Sequence, residues 1–136
     1  MGIISLIKPL KKYEDFVNRA STYENLLLRN KAIQIMTSAV KQQHFRKEEI
    51  SSGYFYLGLL YSKTKEYKLA SDRFHRCLEL MKNEKFRYNS NLKKAIESFI
   101  KIGDKEKAMF WLNNLLERQS YDKKFKKLAR LKSKIE

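Results

Sequence analysis

The chain has 136 residues, of which 30 are Lys or Arg and 15 are Asp or Glu, giving a formal net charge of +15. That length supports one domain with its own core, and a single cysteine, Cys77, excludes an intramolecular disulfide. One proline and four glycines leave little turn chemistry for strand hairpins, while the Lys, Arg, Glu and Leu content favours helix.

The charge excess is spread along the whole chain, with a modest rise at the C-terminus. Residues 1–50 carry 9 basic and 5 acidic side chains, residues 51–100 carry 10 and 5, and residues 101–136 carry 11 and 5. A localised patch would point to nucleic acid or membrane. An excess spread through a chain rich in Lys, Ile, Asn, Tyr and Phe also follows from A/T-rich coding sequence.

In chain order, the opening apolar stretch runs only from Ile3 to Ile7, with Lys8, Lys11 and Lys12 after it. That order and length do not make a secretory signal. Residues 1–12 form an arm expected to fold back over the first helical hairpin. The alternative is an arm for a membrane surface or a second subunit, where the lysines add attraction to anionic lipid. Apolar residues then recur at helical spacing. They predict helices over Leu10–Leu28, Lys31–Gln43, Glu48–Lys63, Tyr67–Lys82, Asn91–Ile102, Lys105–Arg118 and Asp122–Lys134. Gly103 sits where a helix end favours a left-handed residue, and Asp104 can cap the helix that follows. Residues 83–90 form the longest connection. No apolar run approaches the ~20 residues needed to span a bilayer, and the single cysteine fits a reducing, cytoplasmic setting.

Three segments superimpose at a fixed offset of 38 residues. Tyr23, Tyr61 and Phe99 are each followed nine residues later by alanine, at Ala32, Ala70 and Ala108. Phe16, Tyr54 and Leu92 precede the ring by seven residues, and Met36, Phe74 and Leu112 follow the alanine by four. A period in this range signals stacked helical hairpins, which usually bind rather than catalyse.

The middle copy carries the most specific pattern, Tyr54-Phe-Tyr-Leu57-Gly58-Leu-Leu-Tyr61 followed by Ala70-Ser-Asp-Arg-Phe74-His-Arg-Cys77. It resembles a tetratricopeptide repeat, in which Gly58 and Ala70 are small where two antiparallel helices cross and Tyr54, Leu57, Tyr61 and Phe74 fill the space beside them. Gly103–Leu112 is similar to the turn and second helix of such a repeat. The first copy has Arg19 where the family has leucine, and the third has Ile96 at the small position. The resemblance covers residues 10–118 and implies an all-α fold. That fold would be a right-handed α-solenoid of about three hairpins (13–46, 47–88 and 89–119) with a basic capping helix over 120–136.

In the resembled family the first helix of each hairpin lines a concave groove. Projected onto this chain, the groove takes Val17, Ser21 and Glu24 from the first unit, Phe55, Leu59, Ser62 and Lys63 from the second, and Lys93, Glu97 and Ile100 from the third. An apolar floor beside lysines suits a peptide with a hydrophobic anchor and an acidic flank. The alternative is that other parts of the chain cover these apolar residues. In the tail, Phe125, Leu128, Leu131 and Ile135 form an apolar row that can shield the end of the stack. Lys123, Lys124, Lys126, Lys127 and Arg130 fill its other face and offer an anionic contact.

Catalytic chemistry finds little footing. His44 has no acid–base partner nearby in sequence, and His75 and Cys77 are two residues apart, on different faces of a helix, so they form no local metal site. No phosphate-cradling glycine loop or nucleophile elbow appears. These features together lead us to expect a non-enzymatic adaptor without metal or cofactor. Its partner would be a protein or peptide, with nucleic acid, a membrane surface or a second copy as alternatives.

Overall fold

The computed structural model describes residues 2–136, and all regular secondary structure among them is helical. A short helix α1 (Ile4–Ile7) precedes α2 (Tyr13–Asn25), α3 (Arg29–Ala39), α4 (Lys47–Lys63), α5 (Tyr67–Met81), α6 (Leu92–Lys101) and α7 (Lys105–Leu116). Two 3-10 segments, Glu117–Ser120 and Lys123–Leu131, lead into α8 (Lys132–Ile135). Each helix packs mainly on its sequence neighbours, most extensively α4 on α5 and α2 on α3.

The 38-residue repeat is written into the backbone at three turns. The amides of Leu28, Glu66 and Asp104 donate to the carbonyls of Tyr23, Tyr61 and Phe99. The amides of Leu27, Lys65 and Gly103 donate to Glu24, Ser62 and Ile100. This pair of bonds is the Schellman motif, which needs a left-handed residue just past the helix. Leu27 (φ 61), Lys65 (φ 61) and Gly103 (φ 77) occupy that place. The helices that follow start at Arg29, Tyr67 and Lys105, again 38 residues apart. The outer helix ends do not keep the period, so the repeat register resides in the turns. As expected, Asp104 caps α7, its carboxylate accepting from the Lys107 amide at 3.0 Å.

Several helix ends differ from the sequence expectation, among them α3, expected over Lys31–Gln43 and observed over Arg29–Ala39. The first long helix begins at Tyr13 because the Asp15 carboxylate accepts from the amides of Lys11 and Lys12, fixing the chain before the first turn. It ends at Asn25 because Leu26-Leu27-Leu28, apolar and helix-like in sequence, forms the Schellman turn. The C-terminal element is 3-10 over Lys123–Leu131 where an α-helix is expected. Phe125, Leu128 and Leu131 recur at three residues, which aligns them on one face of a three-residue turn. The step of four to Ile135 coincides with the return to α-helix in α8.

The core divides into two clusters that meet at α4. Ala20, Ala32, Met36, Leu57 and Leu60 belong to the N-terminal one. Phe74, Ile96, Phe99, Trp111, Leu112, Phe125 and Leu128 belong to the other. The repeat residues Ala32, Ala70 and Ala108, and Met36, Phe74 and Leu112, are all buried. Each fully buried large side chain contributes about 1.5–3 kcal/mol. At Gly58 an added Cβ would lie 2.6 Å from two carbons of the Phe74 ring, so the α4–α5 crossing has no room for a methyl group. The pairing is antiparallel: Ser51, near the start of α4, bonds to Cys77 late in α5. Cys77 is buried among these groups, which pushes its thiol up to about 11.

The long connection after α5 is held by side chains from the tail. Arg118 is buried; its Nη2 donates to the carbonyls of Met81 (2.9 Å), Lys82 (3.2 Å) and Glu84 (3.2 Å). Its guanidinium also stacks 4.3 Å from the Phe86 ring. Tyr121 Oη exchanges hydrogen bonds with the Phe86 backbone, and Asp122 accepts from the Tyr88 amide. Phe86 and Tyr88 then meet the edge of Phe125. The tail residues Phe125, Leu128, Leu131 and Ile135 are buried against α6 and α7.

Candidate binding cleft

A cleft of about 620 Å³ lies where the C-terminal end of α4 meets α6 and α8. Ser62 and Lys63 come from α4, Tyr67 from α5, and Lys94, Glu97, Ser98, Ile100 and Lys101 from α6, with Lys134 at the tail. The helix period explains the α6 contribution: residues 94, 97, 98 and 101 recur at three and four and so share one face. Four lysines against one glutamate make this wall cationic.

Lys63 is held in place. Its Nζ lies 2.5 Å from Glu24 Oε2, and Tyr56 Oη donates to the other Glu24 oxygen at 2.9 Å. Burial pushes the Glu24 carboxyl up, but the hydrogen bonds from Lys63 and Tyr56 outweigh it and hold the group below its usual range. Burial, followed by the bond to Glu24, pushes the Tyr56 hydroxyl well up, so it remains a donor. The net result is a neutralised edge on the α2 side. Lys94, Lys101 and Lys134 form no ion pair among the described residues. Lys101 Nζ sits 5.7 Å from the centre of the Tyr67 ring.

Of the expected groove residues, Ser62, Lys63, Glu97 and Ile100 come together in this one cleft. Phe55 does not join them. It lies on the same face of α4 as Ser62 but seven residues nearer the helix start, about 10 Å away. There it meets the Phe74 ring edge at 5.4 Å and lines a smaller cleft with Ser51, Cys77, Met81 and Phe86. Leu59 is half-buried against the C-terminal cluster and Val17 against the N-terminal one. Ser21 is half-buried on α2.

Lys93 opens onto a neighbouring cleft of about 480 Å³ with Tyr88, Ser90, Lys127 and Arg130. Two of the five tail cations, Lys127 and Arg130, therefore reach α6. Lys123, Lys124 and Lys126 are exposed outside both clefts. Lys93 and Lys94 are adjacent on α6, and Arg130 and Lys134 are four apart in the tail, so the two clefts neighbour each other. Sequence projection missed Lys94, Lys101 and Lys134. Extending the three-and-four row from Glu97 would have found the first two, but nothing local places the tail lysine.

His75 also has a defined partner. Trp111 Nε1 donates to its Nδ1 at 3.0 Å, so this ring nitrogen is an acceptor and the imidazole is neutral there. Burial, with the charge of Lys107, lowers the His75 pKa. His75 and Cys77 form no shared site: the sulfur bonds to Ser51 and the imidazole to Trp111. Among the described residues no group of three or more His, Cys, Asp or Glu side chains is arranged to hold a metal ion.

Neither a protein-family model, a curated protein nor a solved structure matches this chain.

Proposed function

We propose that this chain is a non-enzymatic interaction module that holds an acidic protein segment along the cleft between α4, α6 and the tail. In this reading the helix pairs stack as a short, right-handed, tetratricopeptide-like solenoid, and the 3-10 tail closes its end. One observation carries the proposal. Ser62, Lys63, Glu97 and Ile100, from two different helix pairs, line a single cleft with three further lysines. Ile100 and the Tyr67 ring supply apolar surface for an anchor side chain, and Lys94, Lys101 and Lys134 supply charge for an acidic flank. Glu97 sets the register by rejecting an acidic residue placed beside it.

Affinity capture from the native host with wild type and with a Lys94→Glu/Lys101→Glu variant tests the proposal. Both side chains belong to the open wall, so the variant keeps the wild-type unfolding midpoint and loses the partner. Equal recovery of the same partner by a folded variant would remove the cleft from the account.

A second reading rests on the cleft formed by Lys93, Lys127, Arg130 and Tyr88, which has no acidic residue in its lining. Such a cleft suits a phosphate backbone with a base against the tyrosine. Titration with single-stranded RNA at two salt concentrations separates the readings. Binding that weakens steeply with salt and is lost in Lys127→Glu/Arg130→Glu favours nucleic acid.

A further inference from the structure

Helix α1 is docked with the wrong side outward. Its inward contacts are polar: Ser5 Oγ lies 2.6 Å from Thr22 Oγ1, and Arg19 Nε donates to the Ser5 carbonyl at 2.9 Å. Arg19 also donates to the Lys8 carbonyl, and Lys8 Nζ pairs with Asp15 at 3.0 Å. These bonds account for Arg19 standing at the position that Leu57 holds in the middle copy of the repeat. Asp15 accepts backbone bonds from Lys12 and Lys11 as well as the Lys8 pair, which hold its carboxyl down at about 2. The tether is therefore intact at neutral pH.

With its polar face spent on α2, α1 turns its isoleucines to solvent. Ile3, Ile4 and Ile7 are 76%, 72% and 78% exposed. The Gly2 carbonyl faces Thr22, which sets this end of α1 one helical turn, about 6 Å, from the Leu26–Leu28 turn. In that turn Leu27, in the left-handed conformation, is 89% exposed. Aliphatic side chains from two segments thus project from one end of the molecule.

From this geometry we infer that the α1 end of the molecule binds the surface of an anionic lipid bilayer. The patch projects instead of lining a pocket, and it consists of Ile and Leu without the Trp, Tyr or Arg that anchor protein interfaces. Lys11 and Lys12 stand exposed just beyond the Ile7 end of α1, at the opposite end of α2 from Leu27, and form no ion pair among the described residues. The chain as a whole carries +15, so a second copy would bring like charge to the patch while an anionic leaflet brings opposite charge. No described helix is long and apolar enough to cross a membrane; the contact is interfacial, with Ile4, Ile7 and Leu27 inserted and the lysines at the headgroups. The cleft between α4, α6 and the tail plays no part in this contact, and the inference stands independently of the proposed partner.

Vesicle flotation near physiological salt tests it. Three proteins are compared on phosphatidylcholine vesicles with and without phosphatidylserine: wild type, Ile4→Ser/Ile7→Ser/Leu27→Asn, and Lys11→Gln/Lys12→Gln. Wild type floats with the anionic vesicles and not with the neutral ones. The triple variant keeps every charge and a cooperative melting transition, yet its partitioning falls at least about tenfold; the lysine variant is intermediate. Three flotation results would overturn the inference: wild type failing to float with anionic vesicles, the triple variant floating as well as wild type, or wild type floating equally with neutral vesicles. A dimer in sedimentation that the triple variant dissolves would overturn it in favour of a second copy.

Discussion

Replacing Gly58 by alanine tests the packing at the centre of the molecule, because two effects of known sign oppose each other there. Alanine in a helix interior is favoured over glycine by about 1 kcal/mol. Against this, the new Cβ would lie 2.6, 2.6 and 2.8 Å from three carbons of the Phe74 ring. Carbon contacts settle near 3.5–4.0 Å, so the ring must retreat by about 1 Å. Phe74 is fully buried and edge-packed on Phe55 at 5.4 Å, which leaves it nowhere to go. Overpacking of this kind costs about 1–3 kcal/mol, and three short contacts to a boxed-in ring place it at the upper end. The net expectation is a loss of about 2 kcal/mol, a fall in Tm of about 7 °C for a chain of this size. Urea unfolding followed by far-UV circular dichroism measures it, with an unchanged m value. In the Gly58→Ala/Phe74→Leu double variant the two costs should fail to add, by about 1 kcal/mol or more. If Gly58→Ala alone is more stable than wild type, by the helix-propensity gain, the α4–α5 crossing is not as close as described here.

Three further outcomes are expected. At the repeated turns, Gly103→Ala loses about 1 kcal/mol through backbone strain alone, since its Cβ meets nothing within 4 Å. Lys65→Gly gains up to about 1 kcal/mol by relieving the same strain; paired urea melts of the two variants check both signs. Arg118→Met leaves the carbonyls at the end of α5 without their donor and loses about 3 kcal/mol, with hydrogen exchange accelerated at residues 82–88. His75 is harder to protonate in the folded chain than in the unfolded one, whose value is about 6.5. Its contribution is therefore complete above that pH and is lost as pH falls below it, toward the lowered folded value. Because Trp111 is the chain's one tryptophan and donates to His75, its fluorescence should titrate with a midpoint below 6.5, and His75→Gln should abolish the transition. A midpoint at or above the unfolded value would refute the assignment.

The helical class and the repeated turns are legible in the sequence for different reasons. Ala32, Ala70 and Ala108 repeat because each helix crossing needs a small residue, and the spacing alone exposes them. The turns themselves are legible only at Gly103, where glycine advertises a left-handed residue. Leu27 and Lys65 hold the same conformation without that signal, and the apolar Leu26–Leu28 run reads as continuing helix. The 3-10 tail was written in the three-residue spacing of Phe125, Leu128 and Leu131, but such a spacing fits one face of an α-helix nearly as well. Long-range polar contacts are the least legible. Nothing near Arg118 or Arg19 in sequence marks either as a clamp, because the carbonyls they hold from other elements are 11 to 37 residues away. For the cleft, helix projection brings Ser62 and Lys63 to one side of α4 and Glu97 and Ile100 to one side of α6. It says nothing of distance along the axis, which is why Phe55 falls into another cleft, while Lys93 is turned about 100° around α6 from Lys94 and opens onto the neighbouring one.

The placement of the partner is tested most directly by site-specific photo-crosslinking. A photoreactive residue is introduced at position 100, inside the cleft, or at the exposed position 34 on α3, outside it, and each protein is irradiated in lysate of the native host. The account predicts a defined crosslinked protein from position 100, competed away by an acidic peptide and absent from position 34. Crosslinking of that protein from position 34, with none from position 100, would contradict it.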